Sequence, residues 1–194
     1  STGSRSIPVP ASLSLGKLAI YGAIIALVGW MVAGYFENDR AGTEFSELLK
    51  AAEDNPSAQI QTFPSEGRTH VPEGSRISYR TDPPTSGSHL LIWINPGFYE
   101  DIQPSNRLVH SLEHGMVVIY YDKPTSETMG DLESWSSLFR GPWSGIVVAP
   151  RPGLGEEVIV TAWRKILRLE KWDRIIAAKF IDRFRGRGPE NAVR

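Results

Sequence analysis

The chain has 194 residues, with 21 Lys+Arg against 22 Asp+Glu, four histidines and no cysteine. That length suits one compact domain with appendages. The near-zero net charge gives no reason to expect nucleic acid as a partner, and the absence of cysteine excludes disulfides, thiolate metal sites and cysteine nucleophiles.

Residues 1–17 are rich in Ser, Pro and Gly and read as a tail that stays disordered unless something ties it down. Leu18 to Phe36 is an uncharged run of 19 residues, and a helix needs about 20 to cross the hydrocarbon core. The run is apolar on every side, which speaks against a buried core helix. The apolar part of a cleavable signal peptide is shorter, about 7–15 residues, and residues precede the run, so a retained span over 18–36 is expected. Arg5 and Lys17 lie before it, while Glu37 and Asp39 follow with only Arg40 nearby, so the N-terminus is expected in the cytoplasm and residues 37–194 outside. Tyr21, Trp30 and Tyr35 fit the interfacial belts of such a span. It carries no ionisable residue and no histidine, so it reads as an anchor without an ion path and without an axial imidazole for a haem or chlorophyll-type pigment.

A connecting helix is expected within 37–58. Thr43 would cap Glu44 to about Glu53, Phe45, Leu48 and Leu49 would form its apolar stripe, and Asn55-Pro56 would end it. The exported domain spans 59–170. Its strand candidates are Arg76–Arg80, Leu90–Ile94, Met116–Asp122, Gly145–Ala149 and Glu157–Leu169, each rich in β-branched or aromatic residues and bounded by Gly, Pro or Asn. One amphipathic helix, about Ser126–Phe139, places Met129, Leu132, Trp135 and Leu138 at helical spacing. Residues 171–194 read as a basic amphipathic helix, about Lys171–Arg185, followed by a polar tail not expected to be ordered by itself. That helix would dock its apolar face on the domain, or lie on the membrane or a partner. The pattern as a whole is α+β: a central, mainly antiparallel sheet with flanking helices, behind a single N-terminal membrane helix.

All four histidines fall within 45 residues: His70, His89, His110 and His114. If helical, His110 and His114 present both imidazoles on one face, the spacing zinc and copper helices use. His70 and His89 would complete a three- or four-nitrogen site suited to Zn(II) or Cu(II). Glu113 does not share that face and would act as a hydrogen-bonding support to a ligand or as a general base. The H-E-x-x-H protease order is not present. The same residues also read as structural: His110 and His114 bonded to backbone carbonyls in a tight turn before a strand, Gly115 supplying a positive φ, and His89 a buried donor behind the rigid loop Pro83–Gly87. Ser86, with His110 or His114 and Glu113, offers triad residue types but no G-x-S-x-G elbow.

His70 and then the segments Pro83-Pro84-Thr85-Ser86-Gly87-Ser88-His89, Gly97-Phe98-Tyr99, Val109-His110-Ser111-Leu112-Glu113-His114-Gly115 and Val118-Ile119-Tyr120-Tyr121 resemble the signature of the DUF3105 family, over roughly residues 60–150. Ser88 stands where that family usually has proline. The resemblance implies a small bacterial protein with one N-terminal membrane helix, hence the inner (cytoplasmic) membrane and a periplasmic domain; it implies no activity. From the retained anchor and the lack of a strong catalytic pattern, the function expected first is a non-catalytic, single-span accessory subunit, packed on integral membrane subunits of a larger complex and on the lipid bilayer. A photosynthetic assembly is favoured over a respiratory one. The alternative is a periplasmic copper or zinc module built on the four histidines. Six tryptophans suit an interface, although most are expected in the core.

Overall fold

The structure is a computed structural model and describes residues 15–52 and 60–194. The expected tail over 1–14 and the expected helix stop at Asn55-Pro56 lie outside the described residues. The chain divides into two compact units between Asp39 and Arg40.

The first unit is the start of α1, Leu15–Ala51. This one helix is long and apolar enough to cross a membrane, and its large apolar side chains, among them Leu18, Ile25, Trp30 and Phe36, are exposed along the apolar stretch. A separate helix beginning at Thr43 was expected, but α1 runs through Thr43 without a break. No proline interrupts residues 37–51, an Arg40–Glu44 pair one turn apart supports the helix at 3.3 Å, and the Ser46 hydroxyl folds back on the Gly42 carbonyl at 2.9 Å.

The second unit is built on one six-stranded open sheet. In chain order it contains β1 (Gln61–Thr62), β2 (Gly97–Phe98), α2 (Ser105–Glu113), β3 (Val117–Tyr121), α3 (Ser126–Leu138), β4 (Ile146–Pro150), β5 (Val158–Ala162), β6 (Lys165–Leu169) and α4 (Arg174–Phe184). The strands lie in the order β1-β6-β5-β3-β4-β2. β4 runs parallel to β3 and β2, while the other pairings are antiparallel. The fold is thus the expected α+β one, with a mostly antiparallel sheet and flanking helices.

Side chains alternate across a strand, and here the alternation splits the core in two. Val117, Ile119, Tyr121, Val148, Val158 and Val160 face Phe45 of α1, Leu132 and Trp135 of α3, and Ala177, Phe180 and Ile181 of α4. Met116, Val118, Tyr120, Val147 and Ile159 point the other way, towards Leu108 and Leu112 of α2. The terminal helix therefore docks on the domain. Among the described helices α2 alone covers the second face, and Phe63 and Ile94 of the loops pack beside it.

Several expectations are corrected here. Glu157–Leu169 forms two strands, turning at Trp163–Arg164 with Arg164 at φ 64°. Arg76–Arg80 and Leu90–Ile94 are not strands. The backbone of Leu90 and Ile94 bonds to α2 instead. Leu90 N–H donates to the Asn106 carbonyl at 3.1 Å, Ser111 Oγ accepts from Ile94 N–H at 3.0 Å and donates to its carbonyl at 2.8 Å, and His110 Nδ1 meets the Leu90 carbonyl at 2.8 Å. The polar tail is ordered as well, and its own domain holds it. Gly186 N–H donates to the Gly115 carbonyl at 2.8 Å and Val193 N–H to Gly186 at 2.8 Å. Arg194 pairs with Asp182 at 2.7 Å.

Candidate metal centre

Helix α2 carries the site because of how it ends. The C-cap is His114, Gly115 at φ 95° turns the chain, and two bonds close a Schellman motif: Gly115 N–H to Leu112 and Met116 N–H to Ser111, both at 3.0 Å. The turn fixes His110, Glu113 and His114 before β3 begins. Leu108 and Leu112 anchor the helix to the sheet, so its other sides turn to the loops.

Those loops bring in His70 and His89. A short parallel ladder, His89 N–H to the Thr69 carbonyl at 3.0 Å and Val71 N–H to the His89 carbonyl at 2.9 Å, sets the two side by side. The Pro83–Gly87 loop behind them is a scaffold with Thr85 and Ser86 fully buried. Ser86 Oγ accepts the Glu66 N–H at 3.0 Å, which gives it a structural task in the scaffold.

The rings of His70, His89 and His110 form a nearly equilateral triangle, with centroids 4.8, 4.9 and 4.9 Å apart. His89 and His110 each place Nδ1 2.8 Å from a backbone carbonyl, of Gly87 and Leu90 respectively. Such a bond fixes ring orientation and leaves Nε2 as the free nitrogen, the arrangement that supports metal-binding imidazoles. Glu113 Oε2 lies 2.9 Å from His89 Nε2 and 3.8 Å from His70 Nε2. One donor atom from each of His70, His89, His110 and Glu113 falls within 4.8 Å of all the others.

Two of these atoms are telling. His89 Nε2 and Glu113 Oε2 are buried and without a hydrogen-bond partner, although only 2.9 Å separates them. They stand at ion-pair distance without a hydrogen bond between them among the described residues. Orphaned buried polar atoms are costly, and a cation between them would satisfy both. Ligand atoms of a tetrahedral zinc site lie about 3.3 Å apart, given zinc–ligand bonds of about 2.0–2.1 Å; the observed 2.9 and 3.8 Å bracket that edge.

His114 extends the cluster. Its ring lies between Trp93 and Trp143, with centroids at 4.6 and 4.2 Å, and its Nε2 is 3.1 Å from Glu190 Oε2, which is also 3.9 Å from His110 Nε2. His110, His114 and Glu190 make a second donor group within 4.8 Å. Burial, backed by the neighbouring imidazoles and opposed by the Leu90 carbonyl, pushes His110 down to about 4. Burial also lowers His114, with the Glu190 carboxylate opposing. His110 is therefore neutral at pH 7, the form that binds metals.

All four expected histidines thus converge, but two features differ from the sequence reading. Glu113 was placed off the ligand face as a support; its carboxylate stands among the donors, because residues three and four apart share one face of a helix, which puts both Glu113 and His114 beside His110. Glu190 was missed. The order His110-x-x-Glu113-His114, the H-x-x-E-H pattern of inverted zinc enzymes, sets Glu113 beside both histidines but gives no sign of Glu190. Here, however, His110, Glu113 and His114 are all buried.

The family model described as "Protein of unknown function (DUF3105)" matches residues 70–194, well over half of the chain and further towards the C-terminus than the motifs alone indicate. No curated protein and no solved structure matches. The chain belongs to the DUF3105 family.

Proposed function

With that membership as the premise, we propose that this protein binds one divalent transition-metal ion, Zn(II) or Cu(II), through His70, His89, His110 and Glu113. The observation that carries the reading is the buried, mutually unsatisfied pair His89 Nε2 and Glu113 Oε2, flanked by imidazoles whose Nδ1 atoms are held at backbone carbonyls. Three nitrogens and one carboxylate oxygen, with no thiolate, suit these two ions. The apolar helix supports a single span, and Arg5 and Lys17 before it against Glu37 and Asp39 after it favour a cytoplasmic N-terminus and a site outside the bacterial inner membrane.

The test is metal analysis of the full chain in detergent after loading with Zn(II) or Cu(II) and desalting. About one ion per chain is expected, lost in His89→Ala and Glu113→Gln, because removing a ligand removes binding energy with it. A wild-type chain that retains no stoichiometric metal, or a His89→Ala chain that retains it fully, ends the reading.

A second reading, that the protein is an accessory subunit of a larger membrane complex, is favoured by one specific feature. Leu91, Ile92 and Trp93 are consecutive and exposed by 66, 57 and 38%, and such a run on a folded surface suits a docking patch. A photosynthetic assembly is the preferred parent and a respiratory one the alternative. Co-migrating subunits on a mild-detergent native gel would support this reading, while a chain that ran alone would end it. The two readings are compatible, and neither requires the protein to catalyse a reaction.

A further inference from the structure

The C-terminal tail is pressed onto the backbone of the metal-site motif. A Cβ on Gly188 would collide with the Glu113 carbonyl, the Gly115 nitrogen and the His114 carbonyl carbon, and one on Gly115 would meet Gly188 N at 2.6 Å and Arg187 N at 3.0 Å. Glycine at both positions permits this approach. Glu190 N–H then reaches the Glu113 carbonyl at 3.3 Å, and Arg68 holds the Pro189 carbonyl at 3.1 Å. The tail so placed delivers the Glu190 carboxylate to His114 at 3.1 Å and His110 at 3.9 Å.

Resting on the metal reading above, we propose that His114, Glu190 and His110 form a second, outer metal position through which the ion reaches the inner set of His70, His89, His110 and Glu113. The two sets share His110, whose Nδ1 is engaged by the Leu90 carbonyl. It has one free nitrogen with one lone pair, so both sets cannot be complete at once. They are alternative positions for a single ion. The inner set has four donors and the outer set three, so the ion comes to rest inside. The Glu190 side chain is 38% exposed whereas those of His110 and His114 are nearly closed, so this carboxylate is the face the outer set turns to solvent. Transfer is a ligand exchange: His114 and Glu190 release the ion as His89, His70 and Glu113 take it, and His110 stays bound throughout. Nothing is oxidised and no covalent bond is broken. His70 is the other exposed donor, 42% at its side chain, but it belongs to the inner set alone.

Stopped-flow uptake of Co(II) by the full chain in detergent tests this, since the visible spectrum of Co(II) reports its ligands. Wild type should show a fast early spectrum that converts to a final one. Glu190→Gln keeps the shape of the tail, should lose the early phase and load more slowly by roughly tenfold or more, while reaching the same final spectrum. His89→Ala should stop at the early spectrum while Co(II) is in excess and lose the ion on desalting, since the outer set has only three donors. Unchanged uptake in Glu190→Gln overturns the outer position. A Glu190→Gln final spectrum altered as much as that of His89→Ala overturns it too, by making Glu190 a ligand of one merged site. A wild-type final spectrum that survives His89→Ala would instead strike at the metal reading on which the proposal rests.

Discussion

Ser111 shows how one side chain can govern a site it does not enter. Its buried hydroxyl both accepts from and donates to the backbone of Ile94, pinning the loop whose Leu90 carbonyl orients His110. Ser111→Ala leaves a buried N–H and a buried carbonyl unpaired, a loss of about 1–3 kcal/mol. Thermal melts followed by circular dichroism should fall by about 2–4 °C for each kcal/mol lost, and metal affinity should drop by about tenfold or more as His110 loses its orientation. An unchanged melt would show that the loop is held by other means. Asp131 makes a different kind of prediction. Its buried carboxylate accepts from Trp172 Nε1 at 2.8 Å and pairs with Arg174 Nε at 2.9 Å, yet burial outweighs both and raises its pKa above the ordinary 3.8. The folded state therefore holds this proton more tightly than the unfolded state does. The contribution of Asp131 to stability is fully present below pH 3.8 and is lost as the pH rises through the raised value. Denaturant titrations of wild type and Asp131→Asn across that range should show the wild-type advantage shrinking with rising pH; an advantage that grows would contradict the sign.

At the scale of elements, the tail and α2 act as one unit because two glycine backbones touch. Gly188→Ala forces a Cβ into the Glu113 carbonyl and Gly115, and such overpacking costs about 1–3 kcal/mol. Amide hydrogen exchange should then quicken at Gly186 and Glu190, whose N–H groups bond to Gly115 and Glu113, while β3 and β5 stay protected. Equal rates in the variant and the wild type would mean that the tail is not fastened there. The same elements show what could be read from sequence. Val117–Tyr121, Ile146–Pro150 and Val158–Ala162 were legible because strands buried on both faces are continuous β-branched and aromatic runs. Leu90–Ile94 has the same texture and is no strand: its backbone partners are the side chains and N-terminal turn of α2, which no local pattern encodes. Gln61–Thr62 and Gly97–Phe98 are too short to show a period. The histidines were legible as a cluster, since i, i+4 spacing and a shared family motif announce them. Glu190 was not, because its place in the site depends on how the tail after α4 returns to the turns that enter β3 and β4, at Gly115 and Ser144, a long-range contact set by the fold as a whole.

For the whole molecule, the boundary between the two units falls inside a continuous helix, so helix and domain limits do not coincide. Up to Asp39 the helix exposes apolar side chains to its surroundings. From Arg40 onwards it belongs to the core. Ala41 and Phe45 are buried, Phe45 meets Trp135 and Phe139 edge-on at 5.3 and 4.9 Å, and Glu44 reaches Arg174 at 3.3 Å. Two truncations should therefore behave oppositely. A chain beginning at Arg40 loses the apolar stretch but keeps every one of these contacts, so it should be soluble without detergent, melt cooperatively and bind the metal proposed for its site. A chain beginning at Ile60 loses Phe45 as well and opens the face of the sheet that α3 and α4 share. Deleting a buried phenylalanine side chain alone costs about 3–5 kcal/mol, a large part of the roughly 5–15 kcal/mol that holds a domain together. The shorter chain should melt well below the longer one or fail to fold, and Phe45→Ala in the longer chain should reproduce much of that loss. If both truncations melted alike, the second half of α1 would be a linker lying on the domain and not a part of its core.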